Sequence, residues 1–225
     1  DAHPTYFSIL EAISKGKNTS HEISSYTGIP DKSVHKYLNE LNTYFGLIKK
    51  VLPFGSKPTA RGARYVLVDP FYKFWFRYIY PNADLIDIGR GEVVQEFILE
   101  DLSNHVGPIF EEVIRQTILA LSGKEVLGIL FPKINSIGVW WKKDKEIDLV
   151  GAWNRKIKIV GEITWSAKPY NSKDIDEIIT TIKQAGFKGA KLIIVSRGGV
   201  TRGAKHYIEE HNGIILTMRN IMVLS

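Results

Sequence analysis

The sequence predicts an α/β protein with two domains, a helical amino-terminal one and a larger one built on a mixed sheet. Three observations predict it. Between Lys142 and Ser166 the chain reads KKDKEIDLVGAWNRKIKIVGEITWS, two alternating apolar runs joined around Asn154 and Arg155, the pattern of a strand hairpin. After it come a helical segment from Ser172 to Phe187, the apolar run KLIIVS, a second helical segment TRGAKHYIEEHNG and the run IILTM, so strands alternate with helices. Before it, the first 69 residues read as three helices and two short strands. The boundaries are 1–69, an aromatic-rich helical linker at 70–100, and 101–225.

In the amino-terminal third, YFSILEAISKG gives a first helix with Phe7, Leu10 and Ile13 inward and Gly16 as its stop. Thr19-Ser20-His21-Glu22 is a helix start with a capping acid. That helix ends at Gly28, and Pro30 opens the next, DKSVHKYLNELNTY, with Val34, Leu38 and Leu41 as its buried stripe. Strands follow in GLIKKVLP and RYVLVDP, separated by the loop FGSKPTARG. This is the order of a winged helix-turn-helix. The linker carries Phe71, Tyr72, Phe74, Trp75, Phe76, Tyr78 and Tyr80. As a helix it is apolar nearly all round, which suits packing at a seam between domains.

The chemistry is concentrated in the hairpin. Strand alternation puts Glu146 and Asp148 on one face, and Glu162 and Thr164 likewise, with Ile147, Leu149, Ile163 and Trp165 turned into a core. Two carboxylates on adjacent strands suit a hard divalent cation such as Mg²⁺, which can generate a nucleophilic water and stabilise a phosphoryl transition state. The same acids also fit a plain solvated hairpin. Upstream, Gly107–Leu121 reads as an amphipathic helix with Ile109, Phe110, Val113, Ile114, Ile118 and Leu121 on its apolar stripe. Glu111 and Glu112 fall in its first turns, where negative charge suits the helix dipole. His206 and His211 lie five apart, off a common helix face, and read as surface residues. The glycines of SRGGVTRG read as a loop before a helix.

Composition narrows the classes. Apolar residues make up 44% of the chain, enough for a core, and no apolar run reaches membrane-spanning length. The start DAHPTYF has no signal-peptide pattern. Zero cysteines exclude disulfides and thiolate metal sites, which fits a cytoplasmic location. Thirty Lys and Arg against 24 Asp and Glu leave +6, a charge compatible with nucleic acid. No G-x-x-x-x-G-K-[ST] loop occurs, and KGKNTS lacks its glycine spacing.

Residues 5–69 resemble the winged-helix DNA-binding domains. The resemblance makes Asp31–Tyr44 the recognition helix, with Lys32, Ser33, His35, Lys36 and Asn39 toward DNA, Lys57 and Arg61 at the wing tip, and Lys49, Lys50 and Arg64 on the strands. The Asp148 strand followed by Glu162-Ile163-Thr164 resembles the PD-(D/E)XK, restriction-endonuclease-like fold, whose second strand carries Glu-x-Lys. Thr164 stands where that lysine would be, and Lys168 is a cation four residues on. The resemblance implies Glu111, Asp148 and Glu162 as metal ligands, and Asp148, Glu162 and Lys168 as catalytic residues. Taken in order, YVLVDPFYKFWFRYIYPN, VGPIFEEVIRQ, IGVWWKKDKEIDLV and GEITW resemble the carboxy-terminal region of archaeal AAA-like P-loop ATPases. That resemblance runs from Thr5 to about Arg197. It implies DNA and an upstream ATPase domain as partners, Mg²⁺ as a cofactor, and ATP only through a domain outside this chain. The expected function is a DNA-binding module with a nuclease-like domain. An active Mg²⁺-dependent endonuclease and a protein-interaction scaffold are the alternatives.

Overall fold

The computed structural model describes residues 3–224, so Asp1 and Ala2 of the amino-terminal segment lie outside the described residues. The chain divides into two units, Asp1–Leu52 with Ser56–Leu102, and Pro53–Gly55 with Ser103–Ser225.

In the first unit, helices α1 (His3–Ser14), α2 (Ser20–Thr27) and α3 (Asp31–Thr43) precede the antiparallel strands β1 (Ile48–Val51) and β2 (Arg64–Leu67). A capping box starts α2. Glu22 N–H donates to Thr19 Oγ1 at 3.2 Å, and Thr19 N–H donates to Glu22 Oε2 at 2.9 Å. Gly28 ends it in the left-handed region at φ 71°, its N–H on Ser24 O at 2.9 Å. Ile9, Leu10 and Ile13 of α1, Ile23 of α2, and Val34, Leu38 and Leu41 of α3 form one core with Ile48 and Tyr65 of the strands. Residues 70–100, read as a linker, are part of this unit. The helix α4 (Pro70–Phe74) runs through a π turn at Trp75–Ile79 and a 3₁₀ turn at Tyr80–Asn82 into α5 (Ala83–Asp87). Trp75, Phe76 and Tyr80 set their rings edge-on around Phe7, with centroids 6.4, 5.5 and 5.3 Å away.

The helix α6 (Gly91–Ala120) is longer than the sequence pattern indicates. The expected start at Gly107 is corrected, because Pro108 lies inside the helix. Proline removes one backbone bond and crowds the carbonyl of Asn104. Both residues are exposed, while Phe110, Ile114 and Ile118 pack the far face. Val113, expected in the apolar stripe, is exposed. Glu111 and Glu112 sit mid-helix, so the helix dipole does not account for them.

The second unit carries a short hairpin, β3 (Glu125–Val126) and β4 (Ile129–Leu130), and a five-stranded sheet. The sheet strands are β5 (Ser136–Lys142), β6 (Lys145–Trp153), β7 (Lys156–Thr164), β8 (Lys191–Ser196) and β9 (Ile214–Thr217), in that spatial order. The β5–β6 and β6–β7 pairs are antiparallel; β7–β8 and β8–β9 are parallel. The mixed sheet is thus present as expected. Asn154 and Arg155 turn β6 into β7 with φ of 48° and 67°, both in the left-handed region that a two-residue hairpin loop requires. On one face Phe110, Ile114 and Ile118 of α6 pack against Leu149, Ile159, Ile163, Ile193 and Val195. On the other, Ile175, Ile179 and Ile182 of α7 (Ser172–Gln184) and Ala204 and Ile208 of α8 (Arg202–Glu210) cover Val150, Val160, Leu192 and Ile194. The last strand stops at Thr217, one residue earlier than the IILTM reading. Thr217 N–H and Oγ1 both donate to Asn220 Oδ1, at 2.9 and 2.8 Å, and Met218 opens α9 (Met218–Leu224).

Strict alternation fails in β6. The register steps from Gly138↔Val150 to Trp140↔Ile147, so β6 carries one extra residue between 147 and 150. Ile147 therefore packs with the α7 side and Leu149 with the α6 side, although both were expected on one face.

Candidate functional site

The bulge places Asp148 at the point where two strands part. The β6–β7 ladder ends at Leu149↔Gly161, while β7 stays paired with β8 through Glu162↔Ile194, Ile163↔Val195 and Thr164↔Ser196. Asp148 and Glu162 are the first residues past the fork. The freed N–H of Ile163 donates to Asp148 Oδ2 at 3.2 Å, so a side chain takes over from the departing strand. Gly161 must be glycine: a Cβ there would lie 1.7 Å from the carbonyl oxygen of Ile193.

Asp148 and Glu162 lie close enough for the charge of each to act on the other. Burial raises the Asp148 pKa; Glu162, the Ile163 N–H and the Arg115 charge oppose that rise, and Glu146 adds to it. Glu162 is pushed well above the usual carboxylate range by burial, then by Asp148, with Glu146 and Glu111 adding to it. Of the two, Glu162 is raised further. Deprotonated, the pair offers hard oxygen donors of the kind Mg²⁺ takes from a protein when waters or substrate phosphates complete its shell.

Around the pair, the expected residues divide. Glu111 is close enough for Glu162 to sense its charge, yet its Oε2 lies 3.8 Å from Arg115 Nη1. Among the described residues no three His, Asp or Glu side chains converge as one metal-binding group, so the expected triad is a pair with Glu111 nearby. Lys168 is exposed, its N–H donates to Ser166 Oγ at 3.1 Å, and its neighbour Ala167 lies against Gly198, where a Cβ would sit 2.4 Å from the Ala167 carbonyl.

Two residues escaped the sequence reading. Arg115 is buried, donates from Nη1 to the Asp148 carbonyl at 3.0 Å, and pairs with Glu112 through Nη2 at 3.2 Å. Its signal was an arginine beside the apolar stripe of α6, three and four residues after two glutamates. The phenol of Tyr170 is raised far up by burial and by the charges of Glu162 and Asp148. Nothing in the sequence around Tyr170 marks it.

In the first unit, Lys32, Ser33, His35, Lys36 and Asn39 are all exposed on α3, opposite Val34, Leu38 and Leu41. Lys57 and Arg61 are exposed in the β1–β2 loop. Lys32, Lys36, Lys57 and Arg61 make no ion pair among the described residues. The one acid within this helix's second half, Glu40, is engaged by Tyr6, whose hydroxyl donates to its Oε2 at 2.6 Å. His206 and His211 are exposed on and just after α8, and no helix among the described residues is long and apolar enough to cross a membrane.

The fold and the acid fork define a mixed-sheet α/β protein with a half-buried carboxyl pair. Residues 75–178 are similar to the DUF234 family, described as archaeal and bacterial proteins of unknown function. The chain is also 33% identical over 175 residues to the uncharacterized protein MJECL04 of Methanocaldococcus jannaschii. That match covers 77% of this chain and 38% of the relative, so the chain spans well under half of that protein's length. No solved structure matches the chain.

Proposed function

We propose that this chain is the DNA-binding carboxy-terminal module of an archaeal-type ATPase. In this reading the first unit is a winged helix and the second a PD-(D/E)XK-like domain with weakened cutting chemistry. The observation that carries it is the fork at Asp148 and Glu162, two half-buried carboxyls side by side where β6 parts from β7. The exposed and unpaired cations of α3 and the β1–β2 loop support a phosphate-binding face. A bound Mg²⁺ would polarise a phosphoryl oxygen and lower the pKa of its water. Asp148 and Glu162 would hold it, and Arg115 fixes the main chain of Asp148. Thr164 supplies no charge where the resembled motif has lysine, which is the reason for binding without efficient cleavage.

Anisotropy of a labelled duplex across a salt series, with and without Mg²⁺, tests the reading. Affinity should fall steeply with salt, and supercoiled plasmid should stay largely intact. Salt-insensitive or absent binding would leave the scaffold alternative. Rapid Mg²⁺-dependent nicking, lost in Asp148→Asn, would establish the endonuclease alternative, which the acid pair also supports.

A further inference from the structure

The loops that leave β7 and β8 stay joined where the strands end. Arg197 N–H donates to Thr164 O at 3.1 Å, Gly198 N–H to Ser166 O at 2.9 Å, Tyr170 N–H to Gly199 O at 3.1 Å and Thr201 N–H to Tyr170 O at 2.8 Å. Gly198 lets the loops touch, since a Cβ there would lie 2.4 Å from the Ala167 carbonyl oxygen. These main-chain bonds make one shelf at the C-terminal end of the parallel strands, the edge at which open parallel sheets bind their ligands. The shelf is basic. From Ile163 to Lys173 and from Arg197 to Ile208 the chain has no Asp or Glu, yet it carries Lys168, Lys173, Arg197, Arg202 and Lys205. Lys173 and Lys205 lie 3.9 and 3.8 Å from Glu177 and Glu209 of their own helices. Lys168, Arg197 and Arg202 are exposed and make no ion pair among the described residues. Arg197 is also oriented. Its guanidinium lies 4.4 Å from the centre of the Trp165 ring, and Trp165 packs on Phe110 with ring centroids 5.2 Å apart.

Stacking on an indole occupies one face of a guanidinium and leaves its N–H edge for an acceptor. An arginine already held in this way loses little freedom on taking a ligand, and its planar fork matches two oxygens of a phosphate. The spacing from the acids suits a nucleic-acid strand. Arg197 continues the register past Thr164↔Ser196, so it stands opposite Trp165, three residues beyond Glu162. At about 3.3 Å per residue in a parallel strand this is a rise of about 10 Å. That is close to three steps of about 3.4 Å along one strand of a duplex. We propose that Lys168, Arg197 and Arg202 form a phosphate-binding face that holds a DNA strand beside the acid fork. The inference rests on the reading that the chain binds DNA. It deepens that reading by giving the second unit a grip of its own, separate from the cations of α3 and the β1–β2 loop.

The test titrates a labelled duplex across a salt series with the full chain, with a shelf variant carrying Lys168→Gln, Arg197→Gln and Arg202→Gln, and with a control of equal charge loss. The control carries Lys124→Gln, Lys156→Gln and Lys188→Gln. These lysines are exposed, Lys156 opens β7 and Lys188 precedes β8, so they mark the other end of the sheet. The shelf variant should flatten the log–log salt slope by about 2.7, about 0.9 for each lost phosphate contact. Over a fourfold rise in salt, wild type then loses roughly fortyfold more affinity than the variant. The control should stay within about 1 of the wild-type slope. Equal flattening in both variants overturns the shelf in favour of overall charge. A shelf variant with the wild-type slope also overturns it, and leaves DNA binding through α3 standing. A wild type whose affinity ignores salt overturns both readings. If the shelf variant melts early, Lys168→Gln with Arg202→Gln leaves the Trp165 stack intact and takes its place: flattening by about 1.8 supports the shelf, and an unchanged slope overturns it.

Discussion

Replacing Glu162 with Gln separates the electrostatic cost of the acid pair from its capacity to bind a cation. In wild type, burial and Asp148 hold the Glu162 pKa well above its ordinary value. The folded chain keeps a proton that the unfolded chain releases near pH ~4.3. Between that value and the raised folded value the native state binds more protons, so stability falls as pH rises through the window and levels off above it. Gln is neutral throughout. Glu162→Gln should therefore match wild type near pH ~4 and exceed it near pH ~8 by about 1–2 kcal/mol, the scale for exchanging a buried ionic group for a neutral one.

The cation response should move in the opposite direction. Mg²⁺ favours the deprotonated pair, so wild type gains stability on adding it. For a two-carboxylate site of Kd about 1 mM, about 10 mM Mg²⁺ contributes roughly 1.4 kcal/mol, or about 4 °C in the melting of the second unit. Glu162→Gln should show almost none of this. Scanning calorimetry near pH ~4, ~6 and ~8, with and without Mg²⁺, reads both effects on the melting scale. A Glu162→Gln protein that melts below wild type near pH ~8, or that keeps the full Mg²⁺ shift, would refute the reasoning.

Other substitutions probe separate links. Gly161→Ala puts a methyl 1.7 Å from the Ile193 carbonyl, so β7 and β8 must separate beside the acid pair; urea unfolding should show a loss above about 3 kcal/mol, and a loss under about 1 kcal/mol would mean the strands adjust freely. Thr164→Lys restores the charge of the resembled motif and should raise Mg²⁺-dependent plasmid nicking above wild type, with no gain expected when Asp148→Asn is added. Lys32→Ala with Lys36→Ala should weaken DNA binding evenly across sequences and flatten the log–log salt slope by about 1 per lost phosphate contact; an unchanged slope would remove α3 from the interface.

The elements that the sequence reveals are those set by local chemistry. The Thr19–Glu22 cap, the Gly28 stop and the Asn154–Arg155 turn depend on neighbours within a few residues, and each sits where the sequence places it. What stayed hidden depends on distant partners. Pro108 and Gly107 resemble a helix start until the packing of Phe110, Ile114 and Ile118 on the sheet is known. The extra residue in β6 is visible only as a register step against β5. The acid pair itself was legible from two strands and a turn, because Asp148 and Glu162 are nearly equidistant from Asn154 and Arg155. Arg115 and Tyr170 come from other elements, thirty-three residues before Asp148 and eight after Glu162, and no short-range pattern ties them to the pair.

Strand divergence explains why Asp148 and Glu162 sit where they do on the sheet. While β6 and β7 remain paired, the backbone of each satisfies the other, and no polar side chain is needed between them. Past Leu149↔Gly161 the β7 backbone still needs a partner on its β6 side, and Asp148 supplies one to Ile163 N–H. The bulge turns Asp148 toward that task, and Arg115 holds the bulged carbonyl from α6. Gly161 lets β8 stay close on the other side, so the fork opens between β6 and β7 alone. Asp148 is therefore anchored by the main chain, while Glu162, raised further by burial and by the Asp148 charge, is the member whose proton a cation would displace.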